Sequence, residues 1–407
     1  MNRRSFLKTA AAVPALTLLP LGRNGWAARL PEGSGGKRLV VVFLRGAVDG
    51  LNVVIPYEES AYYDGRPNIA IARRDALVLG DRFALHPALA SIMPLWNEGR
   101  LAFVHACGSP DPTRSHFDAQ DYMESGTPGN KSTTDGWMNR LLARLPGERS
   151  PTAAVSFGPT LPRIFEGRLA VANVAVGKQA ARPMAIDRPV ISGAFDRMYQ
   201  GSDALSIAYR EGKSAHQRLL AMLEQDMVQS SGNAPSAFGF PGIAEQAGRL
   251  LARDPNIRLA FLAVGGWDTH INQGATDGQL ANHLRPLGDG LAALSRRLGP
   301  QLADTAIVVL SEFGRTVREN GDGGTDHGHG NVLWVLGGNV RGGKIHGRWP
   351  GVSPERLYEE RDLAVTTDFR NAIGAVLAGH MNLGPAALAA VFPGFDFASK
   401  ELVLFNA

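Results

Sequence analysis

Seven short apolar runs set the architecture open to this chain. Lys37–Leu44 (KRLVVVFL), Arg100–Ala106, Ala153–Phe157, Leu169–Val176, Arg258–Val264, Thr305–Leu310 and Val332–Leu336 are five to eight residues long and rich in Val, Leu, Ile, Ala and Phe. A strand with one wet face alternates polar and apolar residues, whereas a strand buried on both faces reads as a continuous apolar run. Helical patterns lie between the runs, clearest at Asp118–Glu124, Ser206–Gln229, Gln279–Leu298 and Asp368–Gly379. Buried strands alternating with helices predict an α/β fold with a doubly wound, mostly parallel sheet covered by helices on both faces. The Gly321–Gly330 segment is too polar for a strand and is predicted to be a loop.

The N-terminus reads as an address. Arg3-Arg4-Ser5-Phe6-Leu7-Lys8 resembles the twin-arginine export signal. The apolar run that follows, Thr9–Leu21, is broken by Pro14 and Pro20 and is shorter than the roughly 20 apolar residues that span a bilayer. Small residues Gly25 and Ala27 flank Trp26, which suits cleavage after Ala27. The expected organisation is a signal peptide over 1–27, a Pro/Gly-rich linker over 28–36, and one α/β domain over 37–407. The expected location is periplasmic or secreted, reached through the twin-arginine machinery, with no stable membrane span after cleavage. That machinery passes folded cargo, so a metal or cofactor would be loaded before export.

Charge argues against nucleic acid. The formal net charge is +4, but four of the 42 basic residues (Arg3, Arg4, Lys8 and Arg23) lie in the signal, leaving 38 against 38 acids. No basic stripe remains to track a phosphate backbone. Cys107 is the lone cysteine, so the fold holds without internal disulfides.

Ligands of open α/β sheets bind beyond the carboxyl ends of the strands. Polar groups follow successive apolar runs at those positions. They are Asp49 after the first, Asp111 to His116 after the second, Asp268-Thr269-His270 after Arg258–Val264, and Glu312 to Arg315 after Thr305–Leu310. Asp326-His327-Gly328-His329 precedes Val332. Asp-x-His and His-x-His on short loops suit Zn, Mn or a similar divalent ion, one or two in number. Plainer readings stand beside these. Asp49-Gly50 reads equally as a turn, Ser115 with Asp118 as a helix cap, Glu312 and Arg315 as a surface ion pair, and His327 and His329 as solvated loop residues. His86, His105, His283, His346 and His380 lack such neighbours and are predicted to be structural or surface residues.

Two motifs fail. Gly338-x4-Gly343-Lys344 has phosphate-loop spacing, but Ile345 stands where a metal-binding Ser or Thr is needed. Pro112-x-Arg114 matches the end of the sulfatase maturation motif, but Pro110 stands where that motif has Cys or Ser.

The ordered set KRLVVVFLRGAVDGLNVVIPY, RSHFDAQDYMESG, GGWDTH, VLSEFGRT, GTDHGHGN and LGGNVRGGKIHG resembles the exported "domain of unknown function" family 1501 over nearly the whole chain after the signal. That family resembles a branch of the alkaline phosphatase and sulfatase superfamily. The resemblance implies an alkaline-phosphatase-like fold, a two-metal site and a hydroxyl or thiol-derived nucleophile. It implies metal ligands at Asp49, Asp268, His270, Glu312 and His329 or His327. Ser115, or else Thr113, falls near the nucleophile position, and Arg114 or Arg315 would hold the equatorial oxygens of the ester. Phe313 stands where the superfamily has a histidine, so His116 or His327 would complete the second metal site. The implied function is an exported metal-dependent hydrolase of phosphate or sulfate esters. The alternative is a non-catalytic secreted protein on a hydrolase fold that binds a glycan or protein partner. A cytoplasmic mutase is disfavoured by the signal.

Overall fold

The computed structural model describes residues 36–146, 152–158, 160–174, 189–203, 205–207, 209, 210, 213, 239–397 and 402–406. The strands in chain order are β1 (Arg38–Arg45), β2 (Val54–Ile55), β3 (Leu77–Val78), β4 (Ala84–Leu85), β5 (Leu101–Gly108), β6 (Ala154–Phe157), β7 (Ala172–Val174), β8 (Leu259–Gly265), β9 (Thr305–Ser311), β10 (Asn331–Gly337), β11 (Lys344–His346) and β12 (Thr367–Asp368). Nine of them form one sheet in the order β11-β5-β10-β9-β1-β8-β6-β7, with β12 also on β5; β2, β4 and β3 form a small second sheet. The expected α/β architecture with a mostly parallel sheet is present. β1 pairs in parallel with both β8 and β9, with Val41 beside Phe261 on one side and Val308 on the other. β10 departs from this direction: it is antiparallel to β9 and β5.

The continuous apolar runs are explained by two separate cores. Alternate residues of β1 serve opposite faces, as the two-residue strand period requires. Val40, Val42 and Leu44 pack under helices α1 (Phe240–Arg253) and α2 (Gln279–Leu298). Leu39, Val41 and Phe43 pack on the other face with Trp137, Phe369, Ile373 and Leu388. The predicted helix over Gln279–Leu298 is present with those bounds. Asp368 caps the helix Phe369–Gly379 rather than beginning it, its side chain accepting from the Arg370 N–H. The predicted helix over Ser206–Gln229 lies largely outside the described residues, as does the predicted signal. No described helix is long and apolar enough to cross a membrane.

One consequence governs the site. Strands β1, β5, β8 and β9 run the same way and β10 runs against them. The loops leaving the first four and the loop entering β10 therefore meet at one edge of the sheet.

Candidate metal centre

Four side chains from two of these loops and one helix converge at that edge. His116 is the first residue of the helix His116–Ser125, which follows β5. Asp268 and His270 leave β8, and His327 lies in the loop entering β10. The His327 Nε2 atom is 3.0 Å from His116 Nε2, 3.0 Å from His270 Nε2 and 3.2 Å from Asp268 Oδ1. Asp268 Oδ1 is 3.0 Å from His270 Nε2 and 3.5 Å from His116 Nε2. His116, Asp268 and His327 form a group whose donor atoms could hold a metal ion.

Each imidazole is fixed from behind. His116 Nδ1 donates to Glu312 Oε1 at 2.8 Å, His270 Nδ1 to Asp326 Oδ1 at 3.1 Å, and His327 Nδ1 to the Arg114 carbonyl at 2.9 Å. Carboxylates and carbonyls only accept, so each Nδ1 carries the proton and each Nε2 of a neutral ring offers a lone pair. The hydrogen bond it donates to Glu312 raises the His116 pKa above its ordinary value. Burial, then the charge on His116, lowers that of His327. Burial pushes the Asp268 carboxyl up, but Arg315 and His270 together hold it below the usual range.

The loops meet because glycines let backbone touch backbone. A Cβ on Gly314 would lie 1.9 Å from the Gly330 carbonyl oxygen, and one on Gly324 would lie 2.2 Å from that of His270. An antiparallel bridge between Arg315 and His327 joins the two loops, with the Gly328 N–H donating to Gly314 O at 2.8 Å. The polar, glycine-rich Gly321–Gly330 stretch thus serves as a closely packed loop. Phe313, which replaces the expected histidine, stacks on His116 with ring centroids 4.9 Å apart and forms an apolar wall.

The other candidate residues have different places. Glu312 is fully buried; it accepts from Gly46 N, Gln120 Nε2 and Ser311 Oγ as well as from His116, so it orients a histidine from behind. Asp49 is not brought to the cluster: it is buried in a two-pronged pair with Arg66 and caps a short helix at Gly50–Val53. His329 is buried and packs on the Tyr358 ring at 4.7 Å, apart from the convergent donors.

Arg315 and Glu312 are not a surface ion pair. Arg315 is buried and donates to the carbonyls of Gly46, Ala47, Trp267 and Thr325 and to Asp268 Oδ1 at 2.5 Å. It clamps the turn after β1, where Ala47 holds a left-handed φ of 59°. Arg114 is paired with Glu359 and Asp362 at 2.6 and 2.7 Å. Ser115 is exposed, and its Oγ accepts from the Asp118 N–H at 3.4 Å, the cap that the sequence spacing predicts. His86, His105 and His380 are buried, and each is held to a backbone carbonyl.

Sequence reasoning named Asp268, His270 and His327 and gave His116 only as a stand-in for the histidine missing at Phe313. It missed Asp326 as the partner of His270, although Asp326 adjoins His327. It also missed Arg66, which no motif marks.

Solved structures similar to the chain include three of low identity. The zinc complex of the C-terminal periplasmic domain of EcEptC from Escherichia coli is 11% identical at a TM-score of 0.35, covering 75% of this chain and 74% of that one. A protein in the alkaline phosphatase superfamily from Vibrio parahaemolyticus is 9% identical at 0.38, covering 77% and 62%. The PsFucS1 sulfatase from Pseudoalteromonas sp. is 12% identical at 0.34, covering 76% and 64%. No curated protein matches the chain. Residues 1–20 match the twin-arginine translocation signal, which directs the protein to the periplasm or outside the cell. Residues 36–392 match the family described as "Protein of unknown function (DUF1501)", and the chain belongs to that family.

Proposed function

We propose that this is an exported metal-dependent hydrolase of phosphate or sulfate esters, with His116, Asp268, His270 and His327 as ligands of a Zn-like divalent ion. The observation that carries the metal is the orientation of the three imidazoles. With every Nδ1 proton given to an acceptor behind the ring, three Nε2 lone pairs and an anionic oxygen face one another. A single added proton bridges one such pair; His327 Nε2 has two imidazole neighbours at 3.0 Å. Donors about 2.0–2.1 Å from a tetrahedral ion stand roughly 3.3 Å apart, close to the 3.0–3.5 Å that separate His327 Nε2 and Asp268 Oδ1 from each other and from the His116 and His270 rings. Backing of metal-binding histidines by carboxylates or carbonyls is the usual way such rings are oriented.

An ion in this cage would act as a Lewis acid toward an anionic ester. The protein's own groups set the rest. Glu312 and Asp326 aim two of the rings, and Arg315 holds Asp268. Ser115, exposed immediately before His116, presents the hydroxyl that the family resemblance carries over. Its Oγ accepts from the helix N-terminus, which favours negative charge on that oxygen.

The test is elemental analysis of the mature protein, then a panel of phosphomonoester, phosphodiester and sulfate ester substrates with Zn or Mn added. Bound metal lost in His327→Ala, together with turnover, supports the reading. A metal-free wild type removes it.

The second reading is a non-catalytic binding protein. Two observations favour it: both arginines expected to hold substrate are engaged by carboxylates or carbonyls, and four protein ligands is the count of a closed structural site. Bound metal without turnover across the panel, with a melting point that falls on chelation, would establish it.

A further inference from the structure

The superfamily resemblance implies two ions, but Asp49, Glu312 and His329, which it also names as ligands, are not placed to hold a second one. We infer that the centre is mononuclear, with the Arg66 guanidinium as the permanent counter-cation of Asp49; this rests on the metal reading above.

An ionised carboxylate has about four lone-pair sites. Those of Asp49 are all taken. Oδ2 accepts from Arg66 Nη1 at 2.5 Å and Gln273 Nε2 at 2.7 Å; Oδ1 accepts from Arg66 Nη2 at 3.0 Å and Leu51 N at 3.3 Å. Arg66 is equally saturated. Its remaining N–H groups donate to Asn52 Oδ1 at 2.7 Å, Thr316 O at 2.9 Å and Val317 O at 2.8 Å. Both side chains are fully buried. A dication at Asp49 would have to displace a guanidinium whose five donors are all used, or sit beside its like charge. Burial of the pair makes either route costly, because removing one partner leaves an uncompensated buried charge.

Glu312 is fully buried and engaged by other donors. His116, Gly46 and Gln120 donate to its Oε1, and the Ser311 hydroxyl to its Oε2. His329 lies against Tyr358. Among the described residues, the group of three or more convergent metal-binding atoms is that of His116, Asp268 and His327.

The decisive experiment is metal stoichiometry. The mature protein is stripped with a chelator and titrated with Zn against a chromophoric competitor, with native mass spectrometry of the loaded form. One ion per chain in a single class of site is expected. Asp49→Asn should still bind one ion while melting at lower temperature. If that variant does not fold, the wild-type titration decides alone. Two ions per folded wild-type chain, or a drop from two to one in Asp49→Asn, would overturn the inference and leave the hydrolase reading intact. One ion without ester hydrolysis would support it while ending the hydrolase reading. No ion at all would end both.

Discussion

Glu312→Gln separates two roles that a buried acid beside a histidine can have. In the structure Glu312 Oε1 receives His116 Nδ1, Gly46 N and Gln120 Nε2 at 2.8, 2.8 and 2.9 Å, while Oε2 faces the Ser311 hydroxyl at 3.0 Å. A glutamine fits this pocket in one orientation. Its carbonyl oxygen takes the three donors, and its NH₂ turns to Ser311 Oγ, whose own proton can go to Leu44 O at 2.6 Å. No buried donor is orphaned, so the melting point of the metal-free protein should change little. What is lost is the negative charge that makes His116 a better ligand. Removal of such a backing carboxylate lowers metal affinity about 10–100-fold, or roughly 1.4–2.7 kcal/mol. Glu312→Ala should differ, since it strands three half-buried donors at up to about 1–3 kcal/mol each. Zn competition titrations and thermal melts of both variants measure the two quantities. An unchanged Zn affinity in Glu312→Gln would refute the assignment of His116 as ligand and Glu312 as its support. Complete loss of metal in Glu312→Gln, with retention in His116→Ala, would make Glu312 the ligand instead.

Other outcomes follow from the same geometry. Gly314→Ala must push the Gly330 carbonyl away from a Cβ placed 1.9 Å from it; it should lower both stability and Zn affinity, since His327 and the Arg315 bridge move with that loop. Arg315→Met takes the donor from the Gly46, Ala47 and Thr325 carbonyls and frees Asp268, so a loss on the order of 3–5 kcal/mol is expected in chemical denaturation. Burial lowers His86, His105 and His380 to a pKa of about 4 each from an ordinary 6.5. Between those values the unfolded chain binds more protons than the folded one, so their contribution is complete above pH 6.5 and is lost as the pH falls toward 4. Urea midpoints across that window should fall with pH, and His105→Gln should shallow the slope.

Much of the fold was legible because burial on two faces leaves a one-dimensional trace. The run LVVVFL fills both cores at once, so continuous apolar character announced a covered sheet. Direction was not legible. Val332–Leu336 reads the same whether its strand runs with β9 or against it, and the structure runs it against. The helix at Phe240–Arg253 was missed; it opens Phe-Pro-Gly, which reads as a turn.

At the site, local residue types are enough to read the inventory: an export address, loops carrying Asp268, His270 and His327 after or before buried strands, and glycines between them. Those follow from local residue type and from the rule that polar groups beyond strand ends meet at one edge. Which acids face the shared point and which stand behind it depends on how the loops pack in three dimensions. Asp49 and Glu312 have the same chemistry as Asp268, but Arg66 closes on the first and His116 with Gln120 and Gly46 on the second. Arg66 lies 17 residues from Asp49, Glu312 lies 196 from His116, and Asp326 lies 56 from His270. A carboxylate's role is set by which donors reach its oxygens first, and partners that far apart in the chain are chosen by the packing of loops on the sheet.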